Sequence, residues 1–150
     1  MASIAIRCEG KRAAQTLLSV LSTYVNRNGG PIDIETWASA YIACQQDGAR
    51  ATGNHPLWWA VERFMDVPGS EESWATILAI LAKNPPDSVI GVLAAGPLED
   101  LIQDSGLHYI DRIELEARRN PAFRQLLGGV WRSGTPEVWA RVEAARGATW

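Results

Sequence analysis

The chain has 150 residues, 47% of them hydrophobic and 21% charged, with a formal net charge of −3. That length supports one domain with most of its chain surface buried on folding, and the composition is that of a soluble globular protein. The charge offers no basic footprint for nucleic acid, and no apolar run reaches the roughly 18 residues of a membrane span. Cys8 and Cys44 by themselves build neither a disulfide framework nor a zinc site.

Hydrophobic spacing is helical nearly throughout. From Lys11 to Asn26, Ala14, Leu17, Leu18, Leu21, Tyr24 and Val25 mark one helix face, which stops at Asn28-Gly29-Gly30-Pro31. The N-terminal sequence MASIAIRCEGKR lacks the long apolar core of a secretory signal, so the expected location is cytoplasmic. Asp33 or Thr36 can cap a second helix that runs to about Gln46. The polar stretch QQDGARATGN, residues 45–54, reads as a loop.

Short helices then follow at regular intervals. Pro56 suits a first helical turn, with Leu57, Trp58, Val61, Phe64 and Met65 as its buried stripe. Ser70 can cap a helix through Trp74, Ile77, Leu78 and Leu81 that ends at Asn84-Pro85-Pro86. Asp87 or Ser88 can cap the next, from Val89 to about Gln103. Another runs from Leu107 or His108 to Arg119 and ends at Asn120-Pro121. Phe123–Trp131 and Pro136–Arg146 complete the set, with Thr135 as a cap before a first-turn proline. The expected core is Trp74, Ile77, Leu81, Leu93, Leu98, Ile110, Ile113, Phe123, Leu126 and Leu127.

A basic-Asn-Pro helix ending recurs 36 residues apart, after Trp74 and after Ile110. A period of about 36 residues with two helices per unit suggests a HEAT-like α-solenoid. The fold expected is therefore all-α, built from short antiparallel helix hairpins. Residues 1–50 form N-terminal helices and residues 55–150 the repeats, in one domain. A compact orthogonal helical bundle is the competing arrangement.

The residues that carry chemistry are few. Glu99 and Asp100 follow Gly96-Pro97 and invite an acid–base reading, but adjacent helical side chains point apart. Acidic residues after a helix break also favour the helix dipole. Asp111, Glu114 and Glu116 with Arg112, Arg118 and Arg119 read as a charged helix surface. His55 and His108 belong to no HExxH or other ligand-spaced cluster. No phosphate loop or dinucleotide fingerprint is present, so neither metal nor cofactor is implied. Seven tryptophans are many for one small core. Trp59, about 100° around the helix from Trp58, is a candidate exposed anchor of the kind enriched at interfaces.

Residues 93–131 look jointly specified. The blocks AAGPLEDL, IDRIE and PAFRQLLGGVW, within residues 57–139, together resemble a bacterial family of small domains of unknown function. The resemblance implies a fold and a family, not an activity. Small acidic helical bacterial proteins often accompany toxins as immunity proteins, an analogy only.

The expected function is a protein-binding module, in its narrower form an immunity or antitoxin-type inhibitor that occludes a partner. The expected partner is another protein that presents a basic surface, such as a toxin. The contact residues expected are Trp59, Asp100, Asp104, Asp111 and Trp131, because aromatic anchors supply affinity and complementary charge speeds encounter. Two alternatives stand beside it. One is a hydrolase using Glu99, Asp100 and His108 in a groove. The other is a structural subunit that self-associates through its Trp-rich C-terminal region.

Overall fold

A computed structural model describes residues 33–48 and 52–150. The expected Lys11–Asn26 helix and Cys8 lie outside the described residues. Among the described residues the fold is all-helical, with no strand. In chain order the elements are α1 (Ile34–Gln46), α2 (Trp59–Asp66), α3 (Glu71–Ala82) and α4 (Asp87–Leu93). A π-helical turn (Ala94–Leu98) leads into α5 (Glu99–Arg119), followed by α6 (Pro121–Leu127) and α7 (Pro136–Ala145).

The caps explain most boundaries. Asp33 caps α1, its carboxylate accepting from the Thr36 N–H at 3.0 Å. Ser70, Asn120 and Thr135 accept in the same way from Ser73, Phe123 and Val138. Pro121 and Pro136 occupy first-turn positions, where a missing N–H costs nothing.

Three boundaries differ from the sequence reading. Pro56 lies in the turn before α2, whose α-helical residues begin only at Trp59. There the Leu57 N–H is satisfied by His55 Nδ1 at 3.1 Å and the Trp58 N–H by the His55 carbonyl, so the turn needs no helix. Met65, expected in the core, is 62% exposed. Leu57, Ala60, Val61 and Phe64 already form the inward face of this short helix, and Met65 points away from it. Asp87 is the first residue of α4 rather than its cap, and Pro86 takes the cap position without a side-chain bond.

The largest departure is in the middle. Two separate helices were expected between Val89 and Arg119. The chain instead runs helically from Asp87 to Arg119 and bends twice. Pro97 sits inside the helical run and lacks an N–H, and its ring clashes with the carbonyl four residues back. The chain answers with a π turn, in which the Glu99 N–H reaches the Ala94 carbonyl. The second bend is at Ser105, whose φ of −138° and ψ of 30° leave the helical region. A Ser-Gly pair is a common kink site. Gly106 lets α7 approach there, since a Cβ at this position would meet Val138 Cγ1 at 2.8 Å.

One core joins α1 to α7. α1 lies against α3 and also touches α2 and α4, while α5 lies against α6 and α7. That packing is compact. All ten residues expected in the core are buried, Ile77, Leu93, Leu98, Ile113, Phe123, Leu126 and Leu127 completely. The two Asn-Pro joints that suggested the repeat are built differently. Asn84 adopts a left-handed φ of 48°, whereas Asn120 is extended and caps the following helix. Cys44 is a buried thiol in α1. No described helix is long and apolar enough to cross a membrane.

Candidate partner-binding face

The outward face of α5 carries Asp100, Asp104, Leu107, Asp111 and Leu115. Their spacing puts Asp100 and Asp104 on one side before the Ser105 bend and Leu107, Asp111 and Leu115 on one side after it. All five are exposed. Leu107 is 73% and Leu115 51% exposed. The opposite side of the same helix supplies Leu101, Ile102, Tyr109, Ile110 and Ile113 to the core. Packing on that side fixes which residues point outward.

Both flanks of the stripe are held. On one flank the Glu99 carboxylate accepts from the Trp131 N–H at 3.4 Å, and Gln103 Oε1 accepts from the Gly134 N–H at 2.9 Å. Those two bonds fix the loop after α6 beside the N-terminal half of α5. Trp131 is 76% exposed and stands at that end of the stripe. Further along, Arg141 of α7 bridges Glu114 and Asp111. On the other flank the Tyr109 hydroxyl donates to the Gly69 carbonyl at 3.0 Å. There Glu71 binds Arg112 and His108. The Arg112 guanidinium lies over the rings of Trp74 and Tyr109, 5.2 Å from each centroid.

The three aspartates differ in what they hold. Asp100 has no hydrogen bond or ion pair among the described residues, and partial loss of hydration against its surroundings raises its carboxyl pKa from the ordinary value although the side chain stays exposed. Asp104 accepts only from the neighbouring Ser105 hydroxyl, at 2.7 Å. Asp111 is not free, because Arg141 Nη2 donates to it at 2.6 Å. Asp100 and Asp104 are therefore the carboxylates open to a partner's cation.

Trp59 is not the exposed anchor that its position suggested. It is half-buried and packs against the core. Its neighbour Trp58 is half-buried too, so α2 sinks both indoles part-way rather than presenting one.

The trio of the alternative hydrolase reading is not joined by hydrogen bonds. Glu99 is turned to the Trp131 N–H and His108 to Glu71, and no hydrogen bond or ion pair joins Glu99, Asp100 and His108. His55 uses both ring nitrogens: Nε2 lies 2.6 Å from Asp47 Oδ2 and Nδ1 accepts from the Leu57 N–H. That arrangement ties the two ends of the 47–55 segment together and leaves no nitrogen to act as a base. Among the described residues no group of three or more His, Cys, Asp or Glu residues is placed to hold a metal ion.

Sequence reasoning missed Leu107 and Leu115. The signal was present: both fall on the polar side of α5, in step with Asp104 and Asp111, where the helical period asks for polar residues.

A family model described as a family of unknown function (DUF6869) matches residues 47–149, a wider span than the 57–139 of the resemblance seen in the sequence. No curated protein and no solved structure matches the chain.

Proposed function

We propose that this chain, which belongs to the DUF6869 family of unknown function, is a protein-binding module whose contact surface is the outward face of α5. The observation that carries this reading is the exposure of Leu107 and Leu115 within a row of aspartates. Exposed apolar side chains rimmed by charge are how an interaction patch differs from an ordinary solvated helix. The surface suits a partner that presents basic side chains around an apolar strip. Trp131 adds an aromatic anchor at one end. The face is built on a helix braced by ion pairs on both flanks, which suits a partner that docks against it.

The narrower form of the reading is an inhibitor of immunity or antitoxin type that acts by occlusion. Support for that step is the small, acidic, helical character of the chain, by analogy.

The test is direct. A labelled amphipathic helical peptide with leucines on one face and lysines beside them serves as probe, read by fluorescence anisotropy. Wild-type protein is expected to bind it, more weakly as salt rises. Asp100→Lys with Asp104→Lys is expected to weaken binding at least about tenfold and flatten the salt dependence, while circular dichroism stays unchanged. Affinity and salt dependence untouched by this double reversal place the interface elsewhere. A dimer in sedimentation that the reversal abolishes assigns the face to a second copy of the chain instead.

A further inference from the structure

The arginines divide into two groups. Arg63, Arg112, Arg119 and Arg141, and also Lys83, each hold a carboxylate within 2.7 Å. Arg118, Arg124, Arg132 and Arg146 do not. Arg118 has its nearest carboxylate, Glu114, at 4.0 Å, and Arg146 has Glu143 at 3.5 Å. Arg124 and Arg132 have no ion pair among the described residues.

All four loosely held arginines line two shallow grooves on either side of the C-terminal end of α7. The first groove, about 280 Å³, contains Arg118 and Arg124 together with Glu114, which is already engaged by Arg141. The second, about 340 Å³, contains Arg132 and Arg146. It also contains Trp131, Trp139 and Trp150. Trp139 is buried beneath the Arg146 guanidinium, which lies 5.2 Å from its ring centroid. Trp131 and Trp150 remain 76% and 58% exposed.

The second groove is a built feature. The C-terminal segment crosses the end of α6, where the Trp150 indole N–H donates to the Gln125 carbonyl at 2.9 Å and the Trp150 backbone N–H to the Gly128 carbonyl at 3.3 Å. Gly128 has an ordinary helical φ of −64°, so its glycine is required by proximity rather than by conformation. A Cβ there would meet the Ala148 carbonyl oxygen at 2.2 Å.

We propose that this face is a second binding surface, opposite in charge to the α5 stripe, for an acidic polypeptide segment that carries an aromatic or large apolar side chain. A guanidinium presents a planar fork that matches a carboxylate. Arg124 and Arg132 hold no ion pair among the described residues and Arg118 only a distant one, so that capacity is largely unspent, while Arg146, held by Glu143 at 3.5 Å, borders the groove. The exposed indoles supply the apolar contact between them. A polypeptide fits better than a nucleic acid strand. The arginines sit in two separate shallow grooves rather than along a continuous track, and the chain as a whole is net negative.

The probe is a fluorescein-labelled peptide rich in glutamate with a central phenylalanine, titrated against the full chain. Controls are the same peptide with lysine in place of glutamate, and a labelled oligouridylate. The glutamate peptide is expected to bind, to quench tryptophan emission, and to weaken as salt rises. Arg124→Glu with Arg132→Glu is expected to cost at least about tenfold in affinity. Neither residue holds an ion pair among the described residues, and Arg124 only lies against Gly147, so the melting temperature is expected to change little. Trp131→Ala, a second and milder variant, is expected to weaken the phenylalanine peptide more than its alanine analogue. The Asp100→Lys, Asp104→Lys variant is expected to bind the glutamate peptide at least as well as wild type, which separates this surface from the α5 face. Equal binding of the lysine peptide, full affinity in the Arg124→Glu, Arg132→Glu variant, or tighter binding of the oligouridylate would each overturn the proposal.

Discussion

Arg141 of α7 grips the Glu114 carboxylate of α5 through two hydrogen bonds, Nε to Oε1 at 2.8 Å and Nη2 to Oε2 at 2.7 Å. The same Nη2 also reaches Asp111 at 2.6 Å. The clamp joins two helices across 27 residues of sequence and braces the α5 face from one side. Arg112 does the same from the other side by holding Glu71 of α3.

These clamps are expected to add an acid limb to the stability of the fold. Hydrogen bonds from Arg141 hold the Glu114 carboxyl below the usual glutamate range, and those from Arg112 and then His108 do so for Glu71. A carboxyl whose folded pKa is lowered contributes stability above its unfolded value, about 4.3, and loses it as pH falls through the folded value. The melting temperature is expected to fall as pH drops below about 4. Glu71→Gln with Glu114→Gln is expected to flatten that acid limb. Thermal melts from pH 7 to pH 2 measure both.

Asp100 has the opposite sign. Burial raises its carboxyl pKa, so the folded state holds the proton more tightly than the unfolded chain. Its ionisation therefore costs stability, a cost that appears as pH rises through the window between the two values. Asp100→Asn is expected to raise the melting temperature at pH 7 and to lose that advantage below the window. The same variant is expected to weaken the lysine-leucine helical peptide. A gain in stability with a loss of binding is the pattern of a residue kept for contact rather than for folding.

Ile113 is completely buried on the inner side of α5. Ile113→Ala is expected to destabilise by about 2–5 kcal/mol. Chemical denaturation with an unchanged slope would show the loss as a shift in midpoint.

Gly128→Ala is expected to lift the C-terminal segment from α6, because the Ala148 carbonyl has no room to share. Two hydrogen bonds from Trp150 are lost with it, at roughly 1 kcal/mol each. Acrylamide quenching of tryptophan emission is expected to rise, and a Gly128→Ala, Trp150→Phe double variant is expected to show a smaller rise.

Much of the fold was legible in the chain alone. The ten core residues all fell on helical periods strong enough to name them, and the caps at Asp33, Ser70 and Thr135 were readable because each stands before a run that needs an N–H acceptor, whereas Asn120, read as a helix end, also caps the helix after it. Local rules decide such features, so local sequence reports them.

Tertiary packing decided the rest. Pro97 could have ended one helix or bent a longer one, and only its burial in the core selected the π turn. Trp59 and Met65 exchanged their expected roles because α2 is too short to bury more than one face. The pairing of Asp111 with Arg141, and the lack of a partner at Asp100, depend on residues 30 or more positions away. So does the division of the arginines into held and unheld. Sequence by itself determined an all-helical chain and which residues fill its core, because helical period and capping act over a few residues. Which charges stand unpaired on the surface, and so what the protein can grip, emerged only when α3, α6 and α7 closed around α5, because an ion pair is settled by distance in space.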